Sequence, residues 1–293
     1  MPVKIAGVPK LMLLDTGGGL SEIFGRAADE LKLRVQLSAL AQYGVSGKYS
    51  DKATIAPIEI GPLKADKAPF IVAPDILDDD TTHAGILGPD ILHNYDVHLD
   101  FGNNTLALLS QDHCEGKVIY WPATAVAVVP MQVLASGHII IQVMLDGKSI
   151  FAMVDTGAYQ STLSIPAAES YFDLKLGSPD APVAGDLQER PGSKTYLHTF
   201  KTLDFDGIAV GNIKVQIIPD MTSDLFRNKP AIGTHIPDRK YDDAKSDMLI
   251  GMDVLRHLNI YIAYKEQKLY ITPATPSGTN RHFGTSSDER SRN

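Results

Sequence analysis

Phe151-Ala152-Met153-Val154-Asp155-Thr156-Gly157-Ala158 carries an aspartate out of an apolar run into a small, glycine-containing turn. A single Asp-Thr-Gly is ordinary turn chemistry, because all three residues tolerate tight backbone. This chain has it twice. Leu11-Met12-Leu13-Leu14-Asp15-Thr16-Gly17-Gly18 shows the same apolar entry and the same glycine exit. Each copy also has a glycine eight residues before its aspartate, Gly7 and Gly147, where a hairpin turn would feed the strand. A motif duplicated in this way is how one chain would bring two carboxylates face to face.

The repeat extends well beyond the motif. In the first copy, residues 1–110, a short helix is expected over Glu22 to Leu31, followed by β-rich sequence. Thr54 to Ile60 reads as a strand ending at Gly61, and Ala68 to Ala73 as a strand ending in Pro74-Asp75. Ile86-Leu87-Gly88 comes next, then a short helix from Pro89 and a closing hairpin from Val97 to Leu109. The second copy, residues 125–272, repeats the order. Ile139 to Leu145, Asp146-Gly147 and Ile150 to Val154 lead to Asp155; Lys214 to Ile218 ends in Pro219-Asp220; Leu249-Ile250-Gly251 matches Ile86-Leu87-Gly88. From that point the copies align without a gap, Gly88-Pro89-Asp90 against Gly251-Met252-Asp253. An ordered set of matches is far stronger evidence of duplication than one motif. Residues 111–124 read as a polar bridge, Met221 to Lys245 as a charged loop special to the second copy, and 273–293 as a disordered tail. The second copy has a long lead-in from Val126 to Leu145, whereas the first starts almost inside its strand. The natural chain is therefore expected to carry residues before Met1.

Composition narrows the function. The chain has 293 residues, 44% of them hydrophobic, enough to build two cores. A net charge of -8 and no basic patch argue against a nucleic-acid partner. No apolar run is long enough to span a bilayer. The single cysteine, Cys114, cannot form an internal disulfide and leaves the redox compartment open. The histidines lack metal-ligand spacing, His113 beside Cys114 reads as a chance neighbour, and Asp78-Asp79-Asp80 reads as a solvated acidic loop. There is no serine elbow, phosphate-binding loop or dinucleotide fingerprint.

The chemistry then falls to Asp15 and Asp155. Two carboxylates held close together cannot both ionise cheaply, so they share a proton. The charged member can act as a general base toward water while the protonated member acts as a general acid. This requires no metal, cofactor or covalent intermediate. Thr16 and Thr156 are expected to brace one turn against the other. Gly17 and Gly157 are expected to permit the tight backbone and offer amides to the carboxylates. Ile86-Leu87-Gly88 and Leu249-Ile250-Gly251 read as buried strands whose glycine admits a second backbone. Asp90 and Asp253 open short helices and read as helix N-terminus stabilisers.

On these residues the chain resembles the aspartic proteases, specifically a single chain of two retropepsin-like units, as in bacterial aspartyl proteases of that type. The resemblance rests on Leu13 to Gly17 with Ile86 to Gly88, and on Met153 to Ala158 with Leu249 to Gly251. It implies a mainly β, bilobal pepsin/retropepsin-like fold with Asp15 and Asp155 as catalytic dyad, and a β-hairpin flap over the cleft. Gln42 to Gly47, with Tyr43, and Gly192 to Tyr196 are the flap candidates. The implied partner is a peptide or protein substrate, the implied state a monomer that is an internal pseudo-dimer, and the implied compartment the periplasm or the cell exterior. The family often has Ala or Ser after Asp-Thr-Gly; here the residues are Gly18 and Ala158. A catalytically silent peptide-binding or scaffold protein of the same fold is the alternative, and the intact pair of aspartates favours the enzyme.

Overall fold

Each repeat starts from the same tight hairpin. In the computed structural model, which describes residues 1–44, 47–74, 82–187, 190–219 and 246–275, β1 (Pro2–Ile5) and β2 (Val8–Leu14) turn at Ala6-Gly7, with φ of 50° and 79°. Their counterparts β11 (Ile139–Leu145) and β12 (Lys148–Val154) turn at Asp146-Gly147, with φ of 43° and 77°. Two successive positive-φ residues give a turn whose twist matches that of the flanking strands, and glycine takes the second position without a Cβ clash.

The first repeat continues through β3 (Glu22–Phe24), β4 (Gln36–Gly44), β5 (Gly47–Ile60), β6 (Leu63–Ala73) and β7 (His83–Leu87). The second continues through β13 (Thr162–Ser164), β14 (Val183–Leu187), β15 (Arg190–Asp204), β16 (Ala209–Ile218) and β17 (Met248–Ile250). Lobe one is a 7-stranded sheet in the order β1-β2-β7-β3-β6-β5-β4. Lobe two contains β11-β12-β17-β13-β16-β15-β14, the same order strand for strand, and each copy adds the same cross-pairing, β1 with β5 and β11 with β15. The fold is therefore mainly β and bilobal, as the duplication predicts.

The Leu-Gly motifs run parallel to the strands that deliver the aspartates. Leu13 and Leu14 pair with Ile86 and Leu87, and Met153 and Val154 pair with Leu249 and Ile250. Met12, Ile23 and Leu87 are fully buried in lobe one, as are Leu163 and Ile250 in lobe two. A Cβ on Gly88 would come within 2.9 Å of the Leu20 carbonyl carbon, and one on Gly251 within 2.8 Å of that of Gln160. Only glycine lets the two backbones pass so closely.

A second set of strands ties the lobes together: β8 (Asp96–Asp100), β9 (Thr105–Leu109), β10 (Ala127–Val133), β18 (Leu258–Ala263) and β19 (Lys268–Pro273). They form the run β10-β19-β18-β8-β9 at one end of a 12-stranded sheet. The hairpin that closes repeat one thus pairs with lobe two, β8 against β18, with His98 opposite Tyr261. In the gap-free alignment of the repeats, His98 and Tyr261 are equivalent positions. The pseudo-twofold axis relating the lobes therefore passes through this pair.

One local expectation changes. Glu22 to Phe24 form a strand, and only Gly25–Glu30 are helical (α1). Pairing of β3 with β6 on one side and β7 on the other overrides local helix preference. The counterpart helix α3 (Ile165–Phe172) is capped by Ser164, whose hydroxyl accepts from the Ala167 amide at 3.3 Å. The other short helices, α2 (Pro89–Leu92) and α4 (Met252–Leu255), follow Gly88 and Gly251. The bridge after β9 packs onto the second set of strands. Trp121 stacks on His98 with ring centroids 4.2 Å apart and donates to Thr272 Oγ1 at 3.1 Å. His113 Nε2 lies 2.6 Å from the fully buried Asp96 carboxylate, which also accepts from the Tyr261 hydroxyl at 3.1 Å. No helix among the described residues is long and apolar enough to cross a membrane. Asp78-Asp79-Asp80, the loop from Met221 to Lys245 and residues 276–293 of the tail lie outside the described residues, while Pro273, at the start of that tail, ends β19.

Candidate active site

Both aspartates leave their strands through the same backbone link. The Asp15 amide donates to the Leu87 carbonyl and the Asp155 amide to the Ile250 carbonyl, each at 3.0 Å. Within each turn the carboxylate folds back onto the glycine amide: Gly17 N to Asp15 Oδ1 and Gly157 N to Asp155 Oδ1, both 2.8 Å. Asp155 Oδ1 takes a further amide, that of Ala158, at 3.1 Å.

The threonines join the turns across the lobe boundary. Thr16 Oγ1 donates to the Val154 carbonyl at 2.9 Å and accepts the Thr156 amide at 3.1 Å. Thr156 Oγ1 donates to the Leu14 carbonyl at 2.9 Å and accepts the Thr16 amide at 3.1 Å. Each hydroxyl uses its donor and an acceptor on the opposite lobe, and Thr16 is fully buried. A two-atom exchange of this kind fixes both the spacing and the rotation of the turns.

The result is a crossed seating of the carboxyl groups. A Cβ on Gly17 would lie 2.2 Å from Asp155 Cγ, and a Cβ on Gly157 would lie 2.5 Å from Asp15 Cγ. Each carboxyl rests on the glycine of the other lobe, and the two carboxyls hydrogen-bond each other. Burial, the Asp15 charge and that shared hydrogen bond push Asp155 up to about 7, against the opposing pull of the Gly157 and Ala158 amides. A hydrogen bond between two carboxyls requires at least one proton on the pair.

A second tier of contacts supports each turn, and sequence reading missed it. Ser21 donates to Asp90 Oδ1 through its hydroxyl at 2.6 Å and its amide at 2.9 Å, while its hydroxyl accepts the Gly88 amide at 3.0 Å. Ser161, Asp253 and Gly251 repeat this, with hydroxyl to carboxylate at 2.6 Å and the Gly251 amide at 3.0 Å. Asp90 and Asp253 therefore anchor the chain leaving each turn as well as opening a helix. The signal was present: each serine stands six residues after its aspartate.

The flap candidates fare differently. Tyr43 lies in β4, paired with Lys48 near the end of the β4–β5 hairpin. Tyr196 lies within β15, opposite Ile217, half-buried against the core. The β14–β15 hairpin closes between Leu187 and Arg190, so Tyr196 is not at its tip. The two aspartates, the threonines and the glycines converge, while Tyr196 sits in the body of β15. Among the described residues no group of three or more His, Cys, Asp or Glu side chains is arranged to hold a metal ion.

A family model described as aspartyl protease matches residues 1–91 and 141–254. The chain belongs to the aspartyl protease family. The matched segments cover well over half of it and contain both Asp-Thr-Gly turns, Ile86-Leu87-Gly88 and Leu249-Ile250-Gly251. Among solved structures it is similar to a retropepsin-like aspartic protease from Rickettsia conorii, 18% identical, over 53% of this chain and 97% of that one, with a TM-score of 0.35. No curated protein matches the chain.

Proposed function

We propose that this aspartyl protease family member is an aspartic endopeptidase in which Asp15 and Asp155 activate a water molecule between the lobes. The observation that carries the proposal is the crossed seating of two hydrogen-bonded carboxyls, with Asp155 raised to about 7. In the singly protonated pair, the charged member removes a proton from water while the neutral member donates one to the scissile carbonyl. The tetrahedral intermediate then collapses: the newly protonated member gives its proton to the leaving amine while the other takes one back from a hydroxyl of the intermediate, so the pair returns to its starting state and no covalent intermediate forms.

The substrate is an extended peptide lying as a strand between the lobes, its main chain supplying most of the hydrogen bonds and alternate side chains the selectivity. The lobes are residues 1–110 and 125–272, joined by 111–124, and the working unit is a monomer because one chain supplies both aspartates. The resemblance to bacterial enzymes of this type favours the periplasm or the cell exterior as the compartment to test.

Cleavage of a denatured protein or a peptide library by the purified chain, followed by mass spectrometry, tests the proposal. Asp15→Asn and Asp155→Asn are expected to abolish cleavage with circular dichroism unchanged. A wild-type chain that binds peptides without cutting them would mark it as a binding module.

A further inference from the structure

Among the described residues, His138 is the histidine on the lobe boundary next to the two aspartates, and the chemistry above does not use it. It ends the tight turn between β10 and β11, in which the Leu134 amide donates to the His138 carbonyl at 2.9 Å and the Gly137 amide to the Leu134 carbonyl at 2.8 Å. β11 then pairs with β12, Ile139 opposite Val154, so His138 stands one residue further on, beside Asp155. The turn is wedged against the first lobe: a Cβ on Gly137 would lie 2.6 Å from Pro89 Cβ and 3.7 Å from His93 Cε1.

The imidazole has two partners of opposite kind. Nδ1 lies 3.2 Å from the Ser136 hydroxyl, and the ring also hydrogen-bonds the backbone of Gly17, the residue that carries Asp155's carboxyl. A carbonyl can only accept, so the nitrogen facing Gly17 carries hydrogen, and Nδ1 accepts from Ser136. The charged groups that face the ring are Asp15 directly and Asp155 beside it, while His93 and Asp90 lie beyond Gly137.

We propose, building on the protease reading, that His138 is a positioning residue of the dyad: a neutral strut from the β10–β11 turn that holds the Gly17 carbonyl and so keeps the first lobe's catalytic turn in register with Asp155. Neutrality follows from its surroundings. Burial lowers its pKa below the usual histidine value and outweighs the opposing pull of Asp15 and of the Gly17 hydrogen bond. With Nδ1 occupied by Ser136, the strut is a fixed Nε2–H tautomer. A change of about 1 Å in such a site is enough to cost activity, so loss of the strut is expected to act on kcat.

The test combines kinetics with spectroscopy on the full chain. His138→Ala is expected to lower kcat about tenfold or more with KM changed less than about twofold. His138→Gln, which keeps a donor but cannot titrate, is expected to restore most of it. Separately, imidazole 15N shifts should show His138 as the Nε2–H tautomer, titrating below the ordinary midpoint of about 6.5. In Asp15→Asn, loss of the facing charge should lower its pKa further. Unchanged kcat in His138→Ala, or an imidazole that titrates near the ordinary value as mixed tautomers, would overturn the strut. The spectroscopic arm does not depend on turnover. A wild-type chain that cuts nothing would refute the protease reading while the 15N spectrum still decides the strut.

Discussion

Asp155 of the second lobe rests its carboxyl on Gly17 of the first: a Cβ on that glycine would lie 2.2 Å from Cγ and 2.4 Å from Oδ1. Gly157 does the same for Asp15, at 2.5 Å. These glycines thus do more than permit a turn. Each is the floor on which the opposite carboxyl sits.

Gly17→Ala and Gly157→Ala are therefore expected to push the carboxyls apart. Peptide cleavage should fall by about 100-fold or more, since the reacting groups move by more than a near-attack geometry tolerates. Steady-state kinetics checks this, and melting curves should show that the fold survives. Alanine at either position with near-normal kcat would show that the crossed seating is unimportant.

The threonine exchange should be worth stability as well as geometry. Thr16→Val and Thr156→Val keep the shape but leave a carbonyl and an amide of the opposite lobe unpaired in a buried site. Each should cost ~1–3 kcal/mol in chemical denaturation. Thr16 is fully buried whereas Thr156 is half-buried, so Thr16→Val should cost more. Equal and negligible effects would place the lobe adhesion elsewhere, in the β8–β18 pairing.

The clasp between the interlobe bridge and the sheet should make stability depend on pH. The Asp96 hydrogen bond raises the His113 pKa, and Glu266 adds to the effect from 3.6 Å. A raised histidine stabilises fully below its unfolded pKa of about 6.5, and the contribution is lost as pH rises through the folded value. Asp155 acts in the same direction, because a raised carboxyl pKa also removes stability as pH rises toward about 7. The His113 contribution is thus read in an Asp155→Asn background, where His113→Gln should flatten the remaining loss of stability above pH about 6.5. A slope that persists in the double variant would assign it to another group.

Much of this was legible in the sequence, and the rest was not for physical reasons. Asp15 and Asp155, the glycines and the Leu-Gly strands are local motifs whose repetition exposes them, and the repeated strand order followed from their sequence order. Pairing of β8 with β18 joins segments from different repeats, and no local pattern in Val97 to Leu109 announces a partner near residue 260. Glu22 to Phe24 look helical because their strand character comes from neighbours on both sides. Tyr196 stands within β15 rather than at the β14–β15 tip because register, which the sequence leaves open, decides which part of a long strand reaches the tip. His138 is one of nine histidines, and only the turn at Gly137 brings it to Gly17.

The central claim is that Asp15 and Asp155 act as one singly protonated unit. The most direct measurement is kcat/KM for a cleaved peptide as a function of pH in the wild-type chain. The raised Asp155 predicts a bell whose alkaline limb falls near pH 7, where the pair loses its shared proton, with an acid limb where it gains a second. A rate that keeps rising through pH 8, or that follows a single carboxyl with a midpoint near 4, would contradict a shared proton and the dyad with it.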